Sequence, residues 1–323
     1  LICAGGTGGG VYPALVVLQQ LEGKLNSVLW VGGSGGMEKE LVERQNIPYT
    51  EIPAAGLHGV SLRSLPTNLL KLIQGIFAAN RILKTFQPDV ILYTGGFVAA
   101  PVAVIAHKVP ALLYVPDIEP GLALNFLSRF ARIITLTTET SKPYFAKRKA
   151  QLVVTGYPTR SELQKWELQK ALQFFGLTHK LPVLLVTGGS KGARSINRAL
   201  LAILPDLLSS LQIIHITGKL DWQEVQKANQ DLPPELATNY HPYPYLHEEM
   251  GAAYTVANLV VSRGGASTLG EYPLFALPAI LVPYPYAWRY QKVNAQYLAD
   301  QQAALIIRDE ELSEKLLPTI QSL

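Results

Sequence analysis

The sequence is poor in several residue types, and each scarcity narrows the possible functions. One cysteine, Cys3, occurs among 323 residues, which excludes an internal disulfide and favours a reducing cytoplasm. Charged residues make up 16% of the chain, less than the roughly 25% that is usual in globular domains. Apolar residues make up 48%, so we expect large apolar surfaces.

Long apolar runs and dense basic runs are also missing. The longest apolar stretch, 97–106, is broken by Pro101 and falls short of the roughly 20 residues that span a bilayer. The net charge is only +4, and no Lys/Arg cluster predicts nucleic acid as a partner. The chain opens with the strand-like LICAGG rather than with a charged segment and an apolar signal core, so we expect no secretion. We expect both ends to be trimmed, because no initial Met is present and the chain stops in a helical pattern near Leu316.

Three motifs of nucleotide and metal chemistry cannot be found. The first glycine loop, 5–10, contains no G-x-G-x-x-G, and strand 28–31 ends in Gly32-Gly33 rather than in an acid for ribose. These features argue against a nicotinamide or flavin dehydrogenase. No G-K-[ST] occurs, so a Walker A loop is absent, and no D-x-D supplies a carboxylate pair for a metal. We therefore expect neither a cofactor nor a metal.

Glycine, by contrast, occurs in a repeated pattern. Leu1 to Ala4 is predicted as a buried strand, 5–10 as a glycine loop, and Pro13 to Leu21 as a helix with proline in its first turn. Strand, glycine loop and helix return in the same order over 182–204. Further strands that end in glycine or proline loops lie between these units, which is typical of parallel α/β sheets.

This repetition predicts an α/β fold with two doubly wound Rossmann-like domains that face a cleft. Gly156-Tyr157-Pro158 is a natural hinge, so the predicted domains are 1–156 and 157–323. In open α/β sheets ligands bind beyond the carboxyl ends of the strands. We therefore expect the glycine loops of both domains to meet at the cleft.

The stretch 262–294 carries the strongest local signal of binding. A strand at 259–261 runs into Arg263-Gly264-Gly265, and a helix is predicted to begin near Ser267-Thr268. The first N–H groups of a helix lack internal partners and favour an anion. Glu271, one turn later, is suited to accept hydrogen bonds from a ribose diol. The alternative is a capping box in which Thr268 and Glu271 only stabilise the helix start.

The segment 52–88 contains no acidic residue. It is rich in Leu, Ile and Phe and contains four basic residues, Arg63, Lys71, Arg81 and Lys84. Thr67 to Phe86 is predicted as one long helix. It is either a buried helix whose basic side chains extend to solvent or a membrane-surface element whose basic residues meet anionic lipid.

Six segments together resemble the MurG family in order and spacing. The family consists of peripheral membrane enzymes that move N-acetylglucosamine from UDP to lipid-linked muramyl-pentapeptide. The resemblance covers nearly the whole chain and implies the GT-B fold of inverting glycosyltransferases, with the donor in 157–323 and the acceptor and membrane side in 1–156. The matching segments are GGTGGGVYPAL (5–15), TGGFVAAP (94–101), VTGYPTRSEL (154–163), GGSKGARSIN (188–197), SRGGASTLGE (262–271) and VPYPYAWRYQKVNA (282–295).

The resemblance implies roles for particular residues. Glu271 is expected to hold the uridine ribose, and Arg160, at the hinge, to face the donor. Preorganised N–H groups and an arginine would stabilise the charge that builds on UDP as the glycosidic bond breaks. The other implied donor-binding residues lie in the glycine loops, in the diphosphate turn and beside the transferred sugar: Thr7, Gly8, Gly9, Ser190, Ala266, Ser267, Thr268, Leu269, Gln291 and Asn294.

The sequence departs from the family where the sugars meet. Gly10 stands where the family has a histidine, a favoured general base, and Tyr290 replaces a Gln or His. The family segment H-E-Q-N aligns with 114–117, which leaves Asp117 where the Asn would be. Either the protein acts on another acceptor or sugar with another base, or it binds the donor with little turnover.

Asp117 and Glu119 are the candidate catalytic residues, since they follow a strand that ends at Val115. A carboxylate desolvated there would be suited to accept a proton, although acids are also common in turns. His58 lies in a loop that the family places near the acceptor, but a lone loop histidine is often incidental. The remaining histidines are expected to be structural, with the backbone near His247 a candidate contact for uracil.

The expected function is therefore that of an inverting transferase acting at the cytoplasmic face of the cell membrane. Its expected partners are UDP-N-acetylglucosamine, which is a donor substrate rather than a cofactor, a lipid-linked acceptor and the inner membrane surface. The alternatives are a MurG-like transferase for another acceptor and a UDP-sugar-binding protein with little catalysis. A UDP-sugar epimerase shares the architecture but requires a set of bases that we do not find.

Overall fold

The computed structural model describes residues 1–5, 8–36, 38–55, 65–189, 191–286 and 290–323, with the backbone alone at positions 8 and 65. The chain divides into two compact units, Leu1–Pro158 and Thr159–Leu323. The sequence-based division falls after Gly156, within the same glycine and proline segment.

A seven-stranded parallel sheet forms the centre of the first unit. Its strands are β1 (Ile2–Cys3), β2 (Trp30–Gly33), β3 (Tyr49–Ile52), β4 (Ile91–Tyr93), β5 (Ala111–Val115), β6 (Ile133–Leu136) and β7 (Gln151–Val154). Their order across the sheet is β3-β2-β1-β4-β5-β6-β7. The short strand β1 therefore lies between β2 and β4, and Ile2 pairs with both Trp30 and Leu92.

Helices connect these strands, and one of them differs from its prediction. They are α1 (Gly8–Gln20), α2 (Glu38–Glu43), α3 (Leu65–Phe86), α4 (Ala99–Ile105) and α5 (Leu122–Leu127), with a 3-10 segment at Glu139–Phe145. The predicted start of α1 at Pro13 is wrong, because the helix begins at Gly8 and contains Pro13 in its interior. Proline there lacks the N–H that would bond to the Gly9 carbonyl. The glycine loop therefore contributes the first turn of the helix.

The second unit repeats this plan with a six-stranded parallel sheet. Its strands are β8 (Val183–Thr187), β9 (Gln212–Ile216), β10 (Tyr240–Tyr243), β11 (Leu259–Ser262), β12 (Ala279–Leu281) and β13 (Ala304–Ile306), in the order β10-β9-β8-β11-β12-β13. Its helices are α6 (Leu168–Phe175), α7 (Arg194–Leu208), α8 (Trp222–Gln230), α9 (Pro234–Ala237), α10 (Met250–Val256), α11 (Thr268–Leu274), α12 (Tyr290–Asp300) and α13 (Leu312–Gln321). Short 3-10 segments occupy Ser161–Lys165 and Asp309–Glu311.

Each sheet reverses its strand order at one point, between β1 and β4 in the first unit and between β8 and β11 in the second. Such a reversal opens a crevice at the carboxyl ends of the strands, where ligands bind in this class of fold.

In the first unit Gly96 has φ +86°, and a Cβ there would come within 2.7 Å of the Gly5 carbonyl oxygen. The predicted doubly wound α/β fold is confirmed in both units.

Each unit has its own apolar core. Leu113, Ile134 and Phe145 are buried in the first, and Ile196, Leu200 and Ile280 in the second. Full burial of one such side chain stabilises the fold by about 1.5 to 3 kcal/mol. These cores fix the sheets that carry the candidate site residues.

The long helix α3 is buried along one face only: Ala79 lies in the core of the first unit, and Ile82 and Leu83 pack against that core. The interpretation of segment 52–88 as a buried helix therefore holds for this face alone. Elsewhere on α3, Leu69, Leu70, Ile73 and Phe77 are exposed, and Phe77 retains 71% of its accessible surface. Among the described residues, no helix is long and apolar enough to cross a membrane.

Candidate functional site

The turn after β11 positions the central acidic residue of the site. Arg263 to Ser267 lead from the strand into α11, and Ser267 is the N-cap residue, with no side-chain capping bond. Thr268, the first helical residue, donates its hydroxyl to the Gly265 carbonyl over 2.7 Å. The capping-box interpretation with Thr268 as the cap is therefore wrong, and the Glu271 carboxylate has other partners.

Glu271 lies buried among hydrogen-bond donors. Its Oε2 accepts a hydrogen bond from the Tyr254 hydroxyl over 2.7 Å, and its Oε1 lies 3.8 Å from the Arg160 guanidinium. Desolvation raises the pKa of this carboxyl, whereas Arg160 and the bonds from Tyr254 and Ser267 partly offset the rise. The structure thus places the predicted Arg160 and Glu271 beside each other and adds Tyr254, which the sequence analysis missed.

Arg160 reaches this position because its segment packs on α10. It directly precedes the 3-10 segment Ser161–Lys165, and the Trp166 indole beyond that segment donates to the Glu248 carbonyl over 3.2 Å. Tyr254 lies on the same helix, α10. One helix therefore positions both partners of the buried carboxylate.

The glycine turn is held from the other side by α12. The fully buried Asn294 donates its amide to the Gly264 carbonyl over 3.2 Å, and the Gln291 side-chain oxygen accepts from the Tyr284 N–H over 2.9 Å. A Cβ on Gly264 would lie only 2.5 Å from the Gln291 carbonyl oxygen, so helix and turn meet backbone to backbone. The predicted Gln291 and Asn294 thus flank the turn that contains Ala266 and Leu269.

The side chain of Arg263 is engaged within the fold. Its guanidinium forms an ion pair with Asp309, donates to the Ser195 hydroxyl over 2.8 Å and lies 5.2 Å from the centre of the Tyr284 ring. Ser195 in turn donates to Asp309 over 2.7 Å. Asp309 and Ser195 support the glycine turn from distant parts of the chain. Ser195 lies within the segment 188–197, whereas no local motif marks Asp309.

The glycine loop after β8 leads into a buried polar network. Ser190 lies outside the described residues, but Gly189 donates its N–H to the Thr187 hydroxyl over 3.2 Å. Behind the loop His215 lies between the Asn197 amide, at 3.0 Å, and the Tyr240 hydroxyl, at 2.7 Å. Complete burial lowers the pKa of His215 to about 3, so its imidazole stays neutral near pH 7.

In the first unit, Gly10 lies in the first part of α1, and its carbonyl accepts from the Thr94 hydroxyl over 2.6 Å. A Cβ on Gly10 would lie 3.2 Å from the Thr94 carbonyl oxygen. Gly8 and Gly9 belong to the same helix, whereas Thr7 and His58 lie outside the described residues.

The candidate bases Asp117 and Glu119 are half-buried in the segment that follows β5. Nearby Tyr114 is buried, its hydroxyl lies 2.9 Å from that of Thr137, and its ring meets Tyr157 edge to face. Burial raises the pKa of Tyr114, so this phenol is protonated at neutral pH and is unsuited to act as a base.

Glu38 is a buried acid of the first unit that the sequence analysis missed. It retains 2% exposure, and its Oε1 accepts from the Gly33 N–H over 2.9 Å. A Cβ on Gly5 would collide with this carboxylate, so Glu38 supports the start of the glycine loop. Across the parts of the chain that the structure describes, no three His, Cys, Asp or Glu side chains gather as metal ligands do.

Comparison with known proteins decides the family. Family models described as the N-terminal and C-terminal domains of glycosyltransferase family 28 match residues 1–135 and 183–323. A curated relative from Roseiflexus sp. (strain RS-1) is 38% identical over 368 residues, which cover 97% of this chain and 83% of the relative. It is named UDP-N-acetylglucosamine--N-acetylmuramyl-(pentapeptide) pyrophosphoryl-undecaprenol N-acetylglucosamine transferase. The chain belongs to the MurG family.

Solved structures agree with this membership. The crystal structure of MurG from Acinetobacter baumannii superposes with a TM-score of 0.73 at 29% identity and covers 99% of this chain and 89% of that one. A UDP-GlcNAc 2-epimerase from Neisseria meningitidis superposes with a TM-score of 0.66 at 16% identity, over 99% and 90% of the two chains, and shows the fold alone. The predicted MurG resemblance and the GT-B fold class are therefore confirmed, and the MurG-family chain is a glycosyltransferase.

Proposed function

We propose that this chain transfers N-acetylglucosamine from UDP-N-acetylglucosamine to lipid-linked muramyl-pentapeptide, which converts lipid I to lipid II in peptidoglycan synthesis. The observation that carries the proposal is the buried Glu271 carboxylate beside Arg160, directly after the glycine turn, in a chain with relatives of this name. Residues 157–323 form the donor domain, and residues 1–156 form the acceptor and membrane-facing domain.

The donor half of the mechanism uses hydrogen bonds and fixed charge. Glu271 accepts hydrogen bonds from the ribose diol, and the backbone of Ala266 and Ser267 and the Arg160 guanidinium face the diphosphate. The N–H groups of Thr268 and Leu269 donate to the Gly265 and Ala266 carbonyls, so these two residues shape the turn. As the bond to the sugar breaks, negative charge develops on the departing UDP. Donors already held in place stabilise that charge without reorganising. Ser190, Gln291 and the first-unit residues Thr7, Gly8 and Gly9 complete the proposed donor contacts. Asn294, which is fully buried, instead holds the Gly264 carbonyl of the turn.

The acceptor half requires a base other than histidine at position 10. Asp117 serves best in this role, because it lies half-buried beyond the carboxyl end of β5, the edge of the sheet where ligands bind. It accepts the proton of the acceptor hydroxyl as that oxygen attacks the anomeric carbon. Glu119, two positions later, is the alternative base.

The protein attaches peripherally to the cytoplasmic face of the membrane through the first unit. The exposed side chains of Leu69, Leu70, Ile73 and Phe77 on α3 support this attachment, and Lys71 lies among them. A cavity of about 440 Å³ in the same unit is lined by five basic residues, Arg129, Arg132, Lys147, Arg148 and Lys149. An exposed apolar helix face that carries a lysine is suited to an anionic membrane surface.

The test is a transfer assay with the full chain, UDP-N-acetylglucosamine and a lipid I analogue, in which UDP release is followed. Release that depends on the acceptor supports the proposal. Release that occurs only with a different acceptor identifies a MurG-like transferase of another specificity.

A second candidate function is donor binding without turnover, which the absence of a side chain at Gly10 favours. Binding of UDP-N-acetylglucosamine with no UDP release under any acceptor would establish this function and exclude transfer.

A further inference from the structure

The aromatic residue Tyr254 on α10 is held rigidly beside the donor site. Its side chain is buried, and its ring packs against Tyr272 at 5.9 Å and Phe275 at 5.3 Å between ring centres. Both neighbours belong to α11 or to its C-cap. Because these contacts fix the orientation of the ring, the hydroxyl at its end points towards Glu271.

When Glu271 is ionised, its hydrogen bond from the Tyr254 hydroxyl is charge-assisted. The hydroxyl lies 2.7 Å from Oε2, and a donor to an ionised carboxylate forms a stronger bond than a neutral pair. Burial keeps the pKa of Tyr254 well above its usual range, so the phenol remains a donor. Oε1 lies 3.8 Å from the Arg160 guanidinium, and the Ser267 side chain also forms a hydrogen bond with the carboxyl group.

The charged and titratable groups around Glu271 come from three elements. Arg160 lies before the 3-10 segment Ser161–Lys165, Tyr254 lies on α10, and Tyr272 lies on α11 itself. Tyr272 donates its hydroxyl to the Ser262 hydroxyl over 2.7 Å rather than to Glu271. The two buried tyrosines therefore share one cluster but have different partners.

We propose that Tyr254 is a positioning residue for donor binding, whose hydroxyl holds the Glu271 carboxylate in the orientation that accepts hydrogen bonds from the ribose diol of a UDP-sugar. The inference rests on the proposed function, because it takes Glu271 as the acid that binds ribose. Tyr254 itself does not touch the donor.

The first experiment compares two tyrosine variants of the full chain. Tyr254→Phe removes the hydroxyl and keeps the ring, and it is expected to weaken UDP binding about tenfold in calorimetry, which corresponds to one lost buried hydrogen bond. The kcat for transfer is expected to change little, because the variant acts on binding. Tyr272→Phe is the matched control, since it removes a buried hydroxyl from the same cluster, and its UDP affinity should stay within about twofold of the wild type.

A second ligand distinguishes positioning from a general loss of packing. For the wild type, 2′,3′-dideoxyuridine diphosphate should bind at least about tenfold more weakly than UDP, since its ribose cannot bond to Glu271. In Tyr254→Phe this discrimination should largely disappear. A purely structural effect would weaken both ligands equally and would overturn the proposal.

The pH dependence of binding supplies an independent readout. Loss of the Tyr254 donor removes an interaction that favours the ionised carboxyl, so the pKa of Glu271 rises further in Tyr254→Phe. Because an ionised carboxylate accepts from the diol more strongly than a protonated carboxyl group does, UDP affinity should fall at a higher pH on acidification than in the wild type. Identical pH profiles would contradict the inference.

A double-variant cycle tests the route of the effect. In a Glu271→Gln background, Tyr254→Phe should cause no more than about a twofold further loss of UDP affinity, because its partner carboxylate is gone. An additional tenfold loss there would show that Tyr254 acts elsewhere. The transfer assay tests the proposed function separately. A wild type that binds UDP without turnover would contradict the proposed transfer but not the role of Tyr254. A wild type that binds no UDP would overturn both proposals.

Discussion

At the scale of single residues, Glu271 shows how its surroundings set the chemistry of a side chain. The sequence predicts an acid one turn beyond a glycine turn, and two interpretations fit it, a helix cap and a ligand acceptor. The Tyr254 hydroxyl and the Arg160 guanidinium, which lie 2.7 Å and 3.8 Å from its oxygens, belong to other elements. These contacts exclude the simple cap.

Asp117 is the residue on which the acceptor mechanism is most easily tested. Asp117→Asn keeps the shape of the side chain and removes its basicity, so kcat is expected to fall about 100-fold, within the usual range for a general base. Calorimetry should show UDP affinity within about twofold of the wild type. Glu119→Gln is the matched control, and a larger loss in that variant would transfer the role of base to Glu119.

Gly10 provides a complementary prediction. In the Asp117→Asn background, Gly10→His should raise kcat about tenfold or more, because it introduces an imidazole whose ordinary pKa suits a general base. The new Cβ would lie 3.2 Å from the Thr94 carbonyl oxygen, a contact that needs only a small shift. Gly10→Ala adds the same Cβ without the imidazole, and an equal gain in that variant would show that the base is not the cause.

At the scale of elements, most strands and the helices next to the glycine loops were predictable, whereas most other helices and several strands were not. The predicted strand Ala111 to Val115 coincides with β5, and the predicted helix Thr67 to Phe86 lies within α3. Four of the described strands were missed: β3, β10 and β13 lie at sheet edges, whereas β6 lies inside the first sheet. Edge strands are short and partly solvated, and β10 contains Pro242, so their apolar pattern is weak.

The exposed face of α3 makes a prediction at this scale. Phe77→Ser should reduce binding to phosphatidylglycerol vesicles about tenfold, because one phenyl ring no longer leaves water. Its effect on stability should be small, since the side chain is 71% exposed. Leu220→Ser is the control, because Leu220 is 79% exposed in the second unit. Co-sedimentation that shows equal losses in both variants would contradict attachment through α3.

At the scale of the whole molecule, the buried imidazole of His215 couples stability to pH. Its pKa is about 3 in the folded protein and about 6.5 when unfolded. Below pH 6.5 the unfolded chain therefore binds a proton at His215, whereas the folded chain leaves this imidazole neutral until the pH approaches 3. The free energy of unfolding is therefore unaffected by His215 above pH 6.5. On acidification below that pH it falls by about 1.4 kcal/mol per pH unit.

Urea unfolding followed by circular dichroism between pH 7 and pH 4 measures this effect. The free energy of unfolding of wild type should fall more steeply with acidification than that of His215→Gln, which cannot take up the proton. His179→Gln is the control, because His179 is exposed, and its slope should match that of the wild type. Equal slopes in all three proteins would contradict the assignment.

The sequence by itself determined that the chain forms two α/β halves with glycine loops after their first strands, and that it resembles the MurG family. These features are local, because a strand, a glycine loop and a helix each follow from a few neighbouring residues. Only the tertiary structure decided what surrounds Glu271, where Arg263 is bound and that an apolar face of α3 is exposed. Those outcomes depend on contacts between distant segments, such as Arg263 with Asp309, and packing rather than local pattern determines them.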